Sequence, residues 1–398
     1  MKPQQKCWGF FLLYQGGMKL IVRTESELDF VLQQIDKTRA YSIDTETVDK
    51  SYPDISLTGI SIAWNTKDGA YIPVGHQEGI QLPREIVLPR LKRCIESQKN
   101  TLAVMHNAKY DMSVLSLHGG IRFPETIFDT MVASWLLDTE NAHGLKPLTK
   151  RYLGIDVVEL DDITPKEKDP RTGDAVYRTD LVPIDTMARY AIQDAINPLK
   201  LMEVFIPMLE HDGQMKVFCE LEMPMVFVLM DIEMTGIKLD TDMLRKHIKE
   251  APKRLADLEQ RMYAMRPNGK PFNANSPKQL NGILFKELKL KPIGEKGKSG
   301  LYSTKADYME IWAGQHELPE MILEYRNLSK LMGTYLKGLS TRLGPDGRIR
   351  TRFNQILTTG RLSSSKPNLQ NIPKPDKDVF GLRDMFIAED GYKLICAD

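Results

Sequence analysis

The chain has 398 residues, of which 42% are hydrophobic and 27% are charged, and its formal net charge is +1. This composition is typical of a globular protein with a sizeable core, and the length predicts about two or three domains. The overall net charge does not indicate a polyanionic partner, but residues 1–210 carry a net charge of −5 and the remainder carries +6. An acidic first half suits a metal site, and a basic second half suits a phosphate backbone.

The four cysteines lie far apart, without a Cys-x-x-C pair or a neighbouring histidine cluster. This spacing argues against a zinc-binding cysteine site or a disulfide framework and favours a reducing, cytoplasmic compartment. No apolar run of the sequence reaches the roughly 18 residues of a membrane span, so we expect no membrane partner. The apolar stretch at residues 8–14 lacks a signal-peptide cleavage site. Residues 1–17 are therefore expected to be an N-terminal extension or the product of an early start codon, with a clean domain start at Met18.

The first part of the chain has the pattern of β-strands followed by helices. Residues 41–44, 58–64 and 70–73 have the lengths and the β-branched or aromatic content of strands, and the first of these is predicted to end at Asp44. After Leu82, apolar residues recur at three- and four-residue intervals, which predicts helices. Residues 156–185 are charged and contain three prolines, so we expect a loop or flap there. The order predicts an α/β domain that ends near residue 210.

From Val217 onward the pattern is mainly helical. Asp240 is an expected N-cap for a helix over 243–265 that is kinked or broken at Pro252. Ser276 followed by Pro277 predicts a second helix start. A Gly/Lys-rich loop is expected between residues 290 and 303, then helix from about 304 to 343, and strands at 348–356 and 392–397.

Three short motifs combine acidic side chains with polar or aromatic neighbours. Asp44 and Glu46 lie two residues apart in a strand, so they project to the same side, and their like charges repel unless a cation neutralises them. Asp111 closes a mixed polar and aromatic segment. Tyr190 and Asp194 lie four residues apart, on one face of a helix. Each motif alone is common at protein surfaces, but together they form a distinctive set.

In this order the motifs resemble the DEDDy 3′→5′ exonucleases, and every acid and the tyrosine of that pattern has a match. The resemblance implies phosphodiester hydrolysis with two divalent metal ions, Mg²⁺ first and Mn²⁺ or Zn²⁺ as alternatives. It implies that Asp44 bridges both ions, that Glu46 and Asp194 complete one site, and that Asp111 supports the other, largely through water. Tyr190 would help Glu46 to orient the attacking water.

Residues 359–373 contain Thr-Gly-Arg-Leu-Ser-Ser, then Pro-Asn-Leu-Gln-Asn-Ile-Pro, which is nearly verbatim a motif of family-A DNA polymerases. The Gly, Ser, Asn and Pro content predicts irregular backbone with many hydrogen-bonding groups. Further segments that resemble this family flank the motif at residues 275–280, 303–304, 326–335, 346–348, 383–386 and 393–398. The resemblance therefore runs from about residue 19 to residue 398.

The resemblance implies an α/β RNase H-like exonuclease domain over residues 18–215, a helical thumb over 216–340 and an incomplete α+β palm over 341–398. Arg361 is expected to test the minor groove at the primer terminus, where correctly paired bases share acceptors. Asp398 corresponds to the first of two palm aspartates that hold the catalytic metals. The other expected contacts to DNA are Asn107, Ser276, Lys278, Gln370, Asn371 and Arg383.

The sequence ends at Asp398, before the fingers helix and the second palm aspartate of that family. Because one palm carboxylate cannot hold two magnesium ions around a nucleotide triphosphate, we expect polymerisation only with a second, C-terminal fragment. A split polymerase and a partial sequence of an ordinary one both remain open. With only about 18 residues before the exonuclease match, we expect no 5′-nuclease domain, as in phage-type members of the family.

The expected substrates are single-stranded 3′ DNA ends and primer–template DNA, in replication or repair, in a bacterial or phage-infected cell. A free-standing DEDDy exonuclease is one alternative, but such an enzyme does not need the motif at residues 359–373. A non-catalytic fragment that binds primer–template DNA is another, but the complete set of acids argues against it.

Overall fold

A computed structural model describes residues 12–14, 17–48, 54–375 and 378–395. They fold into two compact units. One contains the residues up to 235 together with 351–365, and the other contains 236–350 together with the residues from 366 onward. The predicted domain limits at residues 215 and 340 stay predictions, because a compact unit need not coincide with a family's domain.

In the described part of the first unit, seven strands form a mixed sheet in the order β1-β2-β5-β4-β3-β6-β7. The strands are β1 (Leu12–Tyr14), β2 (Gly17–Ile21), β3 (Ala40–Val48), β4 (Ser56–Ala63), β5 (Gly69–Pro73), β6 (Leu102–Met105) and β7 (Ile127–Asp129). In the centre, β3 pairs antiparallel with β4 and parallel with β6. The strands predicted at 58–64 and 70–73 are confirmed. The strand predicted to end at Asp44 instead continues to Val48, because the later residues of β3 keep pairing with β4.

Helices cover the sheet of the first unit. They are α1 (Glu25–Lys37), α2 (Arg84–Ser97), α3 (Ala108–Gly119), α4 (Thr130–Leu137), α5 (Leu145–Leu148), α6 (Leu160–Ile163), α7 (Ile184–His211), α8 (Met215–Val217) and α9 (Met223–Thr235). Single π-helical turns follow α5 at Thr149–Leu153 and α8 at Phe218–Glu222. The long helix α7 packs on β3, β4 and β5 through buried small residues such as Ala188, Ala191 and Ala195.

The segment 156–185, predicted as a loop or flap, contains regular structure. It comprises α6, the hairpin β8 (Lys166–Lys168) and β9 (Ala175–Tyr177), and a 3-10 turn at Thr179–Leu181. The hairpin turn is stabilised by Asp169, whose Oδ1 accepts hydrogen bonds from the backbone of Arg171 (2.7 Å) and Thr172 (3.2 Å). Charged, proline-containing composition therefore indicated a connecting segment but did not exclude a short hairpin within it.

The second unit is mainly helical. Its elements are β10 (Ile237–Lys238), α10 (Thr241–Ala264), α11 (Pro277–Asn281), α12 (Ala306–Ala313), α13 (Glu317–Lys330), α14 (Gly338–Arg342) and β11 (Arg348–Ile349), with π-helical turns at Gly282–Glu287 and Leu331–Lys337. Both predicted helix starts are confirmed. Asp240 accepts from the backbone of the first turn of α10, and Ser276 accepts from Gln279 N ahead of Pro277 at the first helical position.

Two predictions for this unit are wrong. Of the kink or break predicted at Pro252, the break is wrong, because α10 runs through the proline as one helix of 24 residues, Thr241–Ala264. Residues 392–395 form no strand, and Ile395 is 91% exposed. A strand needs a partner for its backbone hydrogen bonds, and within the described residues this segment pairs with none. Asp398 and the rest of the predicted strand lie outside the described residues.

The hairpin of β12 (Arg352–Asn354) and β13 (Ser363–Ser365) returns to the first unit. Its backbone is held there by Trp135, whose Nε1 donates to Leu357 O (3.1 Å), and by Glu233, whose carboxylate accepts from Phe353 N (2.5 Å). The first half of the motif at 359–373 therefore folds with the unit that carries the acids. In the described part of the chain, no helix combines the length and apolar character needed to cross a membrane.

Candidate active site

Two acids of the predicted set project from the central strand β3. Asp44 lies opposite Ser61 of β4, and Glu46 lies opposite Gly59, so both acids point to the same face of the sheet. The register shifts between Glu46 and Thr47, which marks a β-bulge directly after the second acid. Glu46 is only 4% exposed, although a carboxylate is rarely buried without a partner.

Tyr71 of β5 forms the apolar support beneath these acids. Its ring lies over Gly59, where an added Cβ would come within 2.0 Å of the tyrosine hydroxyl. The hydroxyl is fixed by a 2.7 Å hydrogen bond with Nε2 of His76, whose Nδ1 is 2.9 Å from Val182 O. Burial raises the pKa of Tyr71, and the charges of Glu46 and of Asp44 raise it further, which places the ring beside the acid pair.

The third acid, Asp111, comes from the first turn of α3. Its Oδ1 accepts two hydrogen bonds from Thr45, one from the backbone N–H (3.0 Å) and one from the hydroxyl (2.6 Å). Thr45 lies between the two acids of β3, so these bonds attach α3 directly to the acid pair. Burial raises the pKa of Asp111 to about 7, although the bonds from Thr45 lower it.

Asp129 fixes the start of α3 and has a structural role. It accepts hydrogen bonds from the backbone of Asn107 (3.1 Å), Ala108 (2.7 Å) and Met131 (2.8 Å). Asn107 has a left-handed backbone with φ of 65°, which turns the chain from β6 into the helix. One buried carboxylate thus holds the ends of two helices.

The fourth acid and the tyrosine lie on α7, as predicted. Tyr190 and Asp194 are one turn apart, and Lys146 of α5 lies against both. The Lys146 ammonium donates to both carboxylate oxygens of Asp194 and lies 4.2 Å from the centre of the Tyr190 ring. Burial raises the pKa of Tyr190, and the charge of Asp194 raises it further, so the phenol keeps its proton at neutral pH.

The four acids of the predicted set lie close enough to influence one another. Burial raises the pKa of Asp44 well above its ordinary value, and the three other carboxylates raise it further. Burial and then Asp194 raise the pKa of Glu46 to about 8. Burial also raises the pKa of Asp194, against the effect of the Lys146 charge. Burial and mutual repulsion thus favour the protonated forms of these carboxylates, and the single charge of Lys146 opposes this only in part.

A hard divalent cation fits the chemistry of this donor set. Carboxylate oxygens are the ligands that Mg²⁺ and Mn²⁺ prefer, and such an ion would relieve the mutual repulsion of the acids. Among the described residues, no three Asp, Glu, His or Cys side chains are arranged closely enough to hold an ion. At Asp194 the Lys146 ammonium supplies a neutralising positive charge.

The comparisons with known proteins agree with the two sets of motifs. The profile of the 3′–5′ exonuclease family matches residues 20–210, and that of DNA polymerase family A matches residues 241–398. DNA polymerase I of Pseudomonas aeruginosa is 35% identical over 387 residues, and that of Chloroflexus aurantiacus is 36% identical over the same length. The chain belongs to DNA polymerase family A. Its first half carries the 3′–5′ exonuclease domain of that family.

The matched family A relatives are longer than this chain. The two alignments cover 95% of this chain but only 41% and 40% of the respective relatives, so the chain spans about two fifths of their length. Among solved structures, the POL domain of Pol1 from M. smegmatis in complex with DNA primer-template and dNTP matches with a TM-score of 0.73. The sequence identity is 25%, and the match covers 94% of this chain and 59% of that one.

The residues that the family A resemblance assigns to DNA lie in both units. In the first unit, Asn107 begins α3 beside the acids, and Arg361 is exposed between β12 and β13. In the second unit, Ser276 caps α11 and Lys278 is exposed on it. Arg383 is exposed but donates to the carbonyls of Ile372 (3.1 Å) and Pro373 (2.9 Å), while Gln370 and Asn371 are exposed just before them.

Lys146, Tyr71 and Gly59 were not singled out from the sequence. Lys146 lies 48 residues before Asp194 in the sequence, in a helix of four residues, so no spacing within one element connects the two. Gly59 and Tyr71 lie in the two strands predicted at 58–64 and 70–73, and the pairing of β4 with β5 brings them together. The one sequence signal was a glycine inside a strand, which often marks a close approach of another group.

Proposed function

We propose that this chain acts as the 3′→5′ proofreading exonuclease of a family A DNA polymerase. The observation that carries the proposal is the convergence of four neighbouring carboxylates, of which Glu46, Asp111 and Asp194 are buried, with a tyrosine in the region that matches the exonuclease family. Structural clusters of this kind are unfavourable unless a ligand compensates them, so they indicate a functional site. The bacterial origin of the relatives supports action in a bacterial or phage-infected cytoplasm.

In this proposal Asp44, Glu46, Asp111 and Asp194 hold two divalent ions, Mg²⁺ or Mn²⁺, with Zn²⁺ the poorer match to an all-carboxylate set. The ions would activate a water and stabilise the leaving 3′ oxygen. The chain's own contribution is placement: Thr45 fixes Asp111. Tyr190, which keeps its proton, can donate a hydrogen bond to the attacking water beside Glu46.

A cavity of about 400 Å³ next to Tyr190 and Asp194 would admit the 3′-terminal nucleotide. It is bounded by α7 and by the residues that follow the π-helical turn after α5, including Ile155 and Val158. Its mostly apolar walls suit an unstacked base, and of the four acids Asp194 lines it. We further propose that the first unit has the RNase H-like fold and that the second contributes the thumb and part of the palm. Lys278 and the other assigned residues would then contact primer–template DNA.

The test is digestion of a 3′-labelled single strand and of a mismatched primer–template in Mg²⁺. Wild type should release the label, and Asp44→Ala should lower the rate by at least about 100-fold, because an acid that would hold the ions is lost. Asp29→Ala is the matched control: it removes an exposed acid of α1 that forms an ion pair with Arg90, and its rate should equal wild type. A folded wild-type protein that binds the substrate without releasing the label would favour a binding fragment instead.

A further inference from the structure

The buried ion pair between Lys146 and Asp194 differs from the other lysine pairs near it. The side chains of Lys146 and Asp194 are 14% and 9% exposed, and the ammonium contacts both oxygens of the carboxylate. Lys150, one turn further along, pairs with Asp156, but these side chains are 60% and 82% exposed. An exposed ion pair of this kind contributes little to folding stability. Removing one partner of a buried pair is strongly destabilising, because it leaves the other charge buried without compensation.

Lys146 occupies the carboxylate oxygens that a metal ion at Asp194 would need. Both oxygens of Asp194 accept from the ammonium, so a cation can bind there only after the lysine moves away or shares the carboxylate. The charge of Lys146 also lowers the pKa of Glu46 and of Asp44, so it acts on the whole acid cluster. It therefore compensates part of the negative charge that a divalent cation would otherwise neutralise.

The Tyr190 ring offers Lys146 a second position. The ammonium already lies 4.2 Å from the ring centre, within the range of a cation–π contact. The lysine stem is flexible and begins on α5, so the head group can leave Asp194 and stay over the ring without unfolding the helix. The contact with the ring lowers the free energy needed to move the ammonium away from Asp194, although the ion pair is still lost.

We propose that Lys146 is a resident counter-ion that a divalent metal ion must displace from Asp194, so that Lys146 sets the metal concentration the site requires. The assignment of Asp194 as a metal ligand rests on the proposed function. The ion pair itself does not. Lys146 keeps the acid cluster folded when metal is scarce and makes metal binding weaker than the acids alone would give.

The experiment measures metal binding without DNA. MgCl₂ and MnCl₂ are titrated into the chelator-treated protein at pH 8, followed by calorimetry and by thermal melting. Lys146→Met removes the charge but keeps the length of the side chain, so it should bind metal about 10-fold more tightly and melt at a lower temperature in EDTA. Lys146→Arg keeps the charge and should bind metal as weakly as wild type. Lys150→Met is the control and should match wild type in both measurements.

Equal or weaker metal binding by Lys146→Met would overturn the proposal, as would an Arg variant that behaves like the Met variant. If Lys146→Met does not fold, Lys146→Gln takes its place with the same expectations. The digestion assay separates this inference from the proposed function. Active wild-type protein with unchanged metal binding in Lys146→Met removes the inference alone, and an inactive wild-type protein whose metal binding responds to Lys146→Met removes the exonuclease proposal alone.

Discussion

Glu46 faces a glycine across the sheet, and the reason lies in Tyr71. A side chain on residue 59 would collide with the tyrosine hydroxyl at 2.0 Å and with Cζ at 2.3 Å, because the ring crosses β4 at this point. The bond to His76 keeps the tyrosine hydroxyl fixed in this position. A glycine is therefore required at residue 59 because the Tyr71 ring leaves no space for a side chain. The backbone conformation of residue 59 does not itself require glycine.

We expect Gly59→Ala to destabilise the protein by about 1–3 kcal/mol, as overpacking of a close-packed interior generally does. It should also lower exonuclease activity, because displacement of Tyr71 shifts the support under Glu46. Gly282→Ala is the control, since nothing lies within 4 Å of an added Cβ there, and it should be neutral or slightly stabilising. Chemical denaturation and the digestion assay measure both effects. Wild-type stability and activity in Gly59→Ala would show that Tyr71 is not needed in this position.

The acids could be predicted from the sequence, but their counter-ion and support could not. Asp44 with Glu46, and Tyr190 with Asp194, are pairs within one strand or one helix, so the regular period of each element fixes which side they share. Lys146 reaches Asp194 only because α5 is folded against α7. Contacts of that kind depend on tertiary packing, which cannot be predicted from the spacing of residues within one element.

At the scale of elements, Asp129 joins three of them. It ends β7, caps α4 through Met131 N, and accepts the first backbone donors of α3 through Asn107 and Ala108. Helix starts leave backbone N–H groups without intrahelical partners, and one carboxylate satisfies those of two helices. The position of Asp111, one turn into α3, depends on this anchor.

We expect Asp129→Asn to cost about 2 kcal/mol, because an amide has one acceptor oxygen and leaves a buried backbone donor unsatisfied. Activity should fall as well, since the start of α3 and with it Asp111 would move. Thr24→Ala is the control: it removes the N-cap of α1, should cost about 1 kcal/mol, and should leave activity unchanged. Urea denaturation and the digestion assay are compared for both variants. If Asp129→Asn loses stability but keeps full activity, Asp129 does not position Asp111.

Elements with a strong local signal were predictable, and those that depend on a partner were not. Asp240 and Ser276 cap their helices as expected, because a cap is a contact within four residues. The hairpin β8–β9 was missed, since its turn is stabilised by one aspartate in a segment that is otherwise charged and exposed. α10 passes through Pro252 because its buried residues, Ala251 and Leu255 among them, hold both halves in the core of the second unit.

Across the whole chain, the distribution of charge follows the division of tasks that the family implies. The acidic first half contains the exonuclease match, and the basic second half contains the polymerase match.

The acidic cluster affects the folding stability of the entire protein. Carboxylates that are buried near one another destabilise the ionised folded state, so the global stability of the metal-free protein must depend on pH and on metal.

We expect the chelated protein to lose stability between about pH 6.5 and 8. The folded state holds the proton of Glu46 to about pH 8, against an ordinary value of 4.5, and burial keeps the pKa of Asp111 at about 7 against 3.8. The folded state therefore binds more protons than the unfolded state in this range, and stability falls as pH rises, by about 1.4 kcal/mol per pH unit for each proton held. Below pH 6.5 the opposite effect of His106, whose pKa burial lowers to about 3, would mask the trend.

Thermal melting in EDTA and in Mg²⁺ at several pH values tests this linkage. Mg²⁺ should restore the melting temperature most strongly at pH 8, because a bound cation replaces the protons that the acids lose. Glu46→Gln removes one of the titrating acids and should flatten the decline in EDTA, whereas Asp29→Asn, at an exposed acid of α1, should leave the slope unchanged. A chelated protein whose stability is constant or rises from pH 6.5 to 8 would mean that the acids are already ionised and paired without a metal.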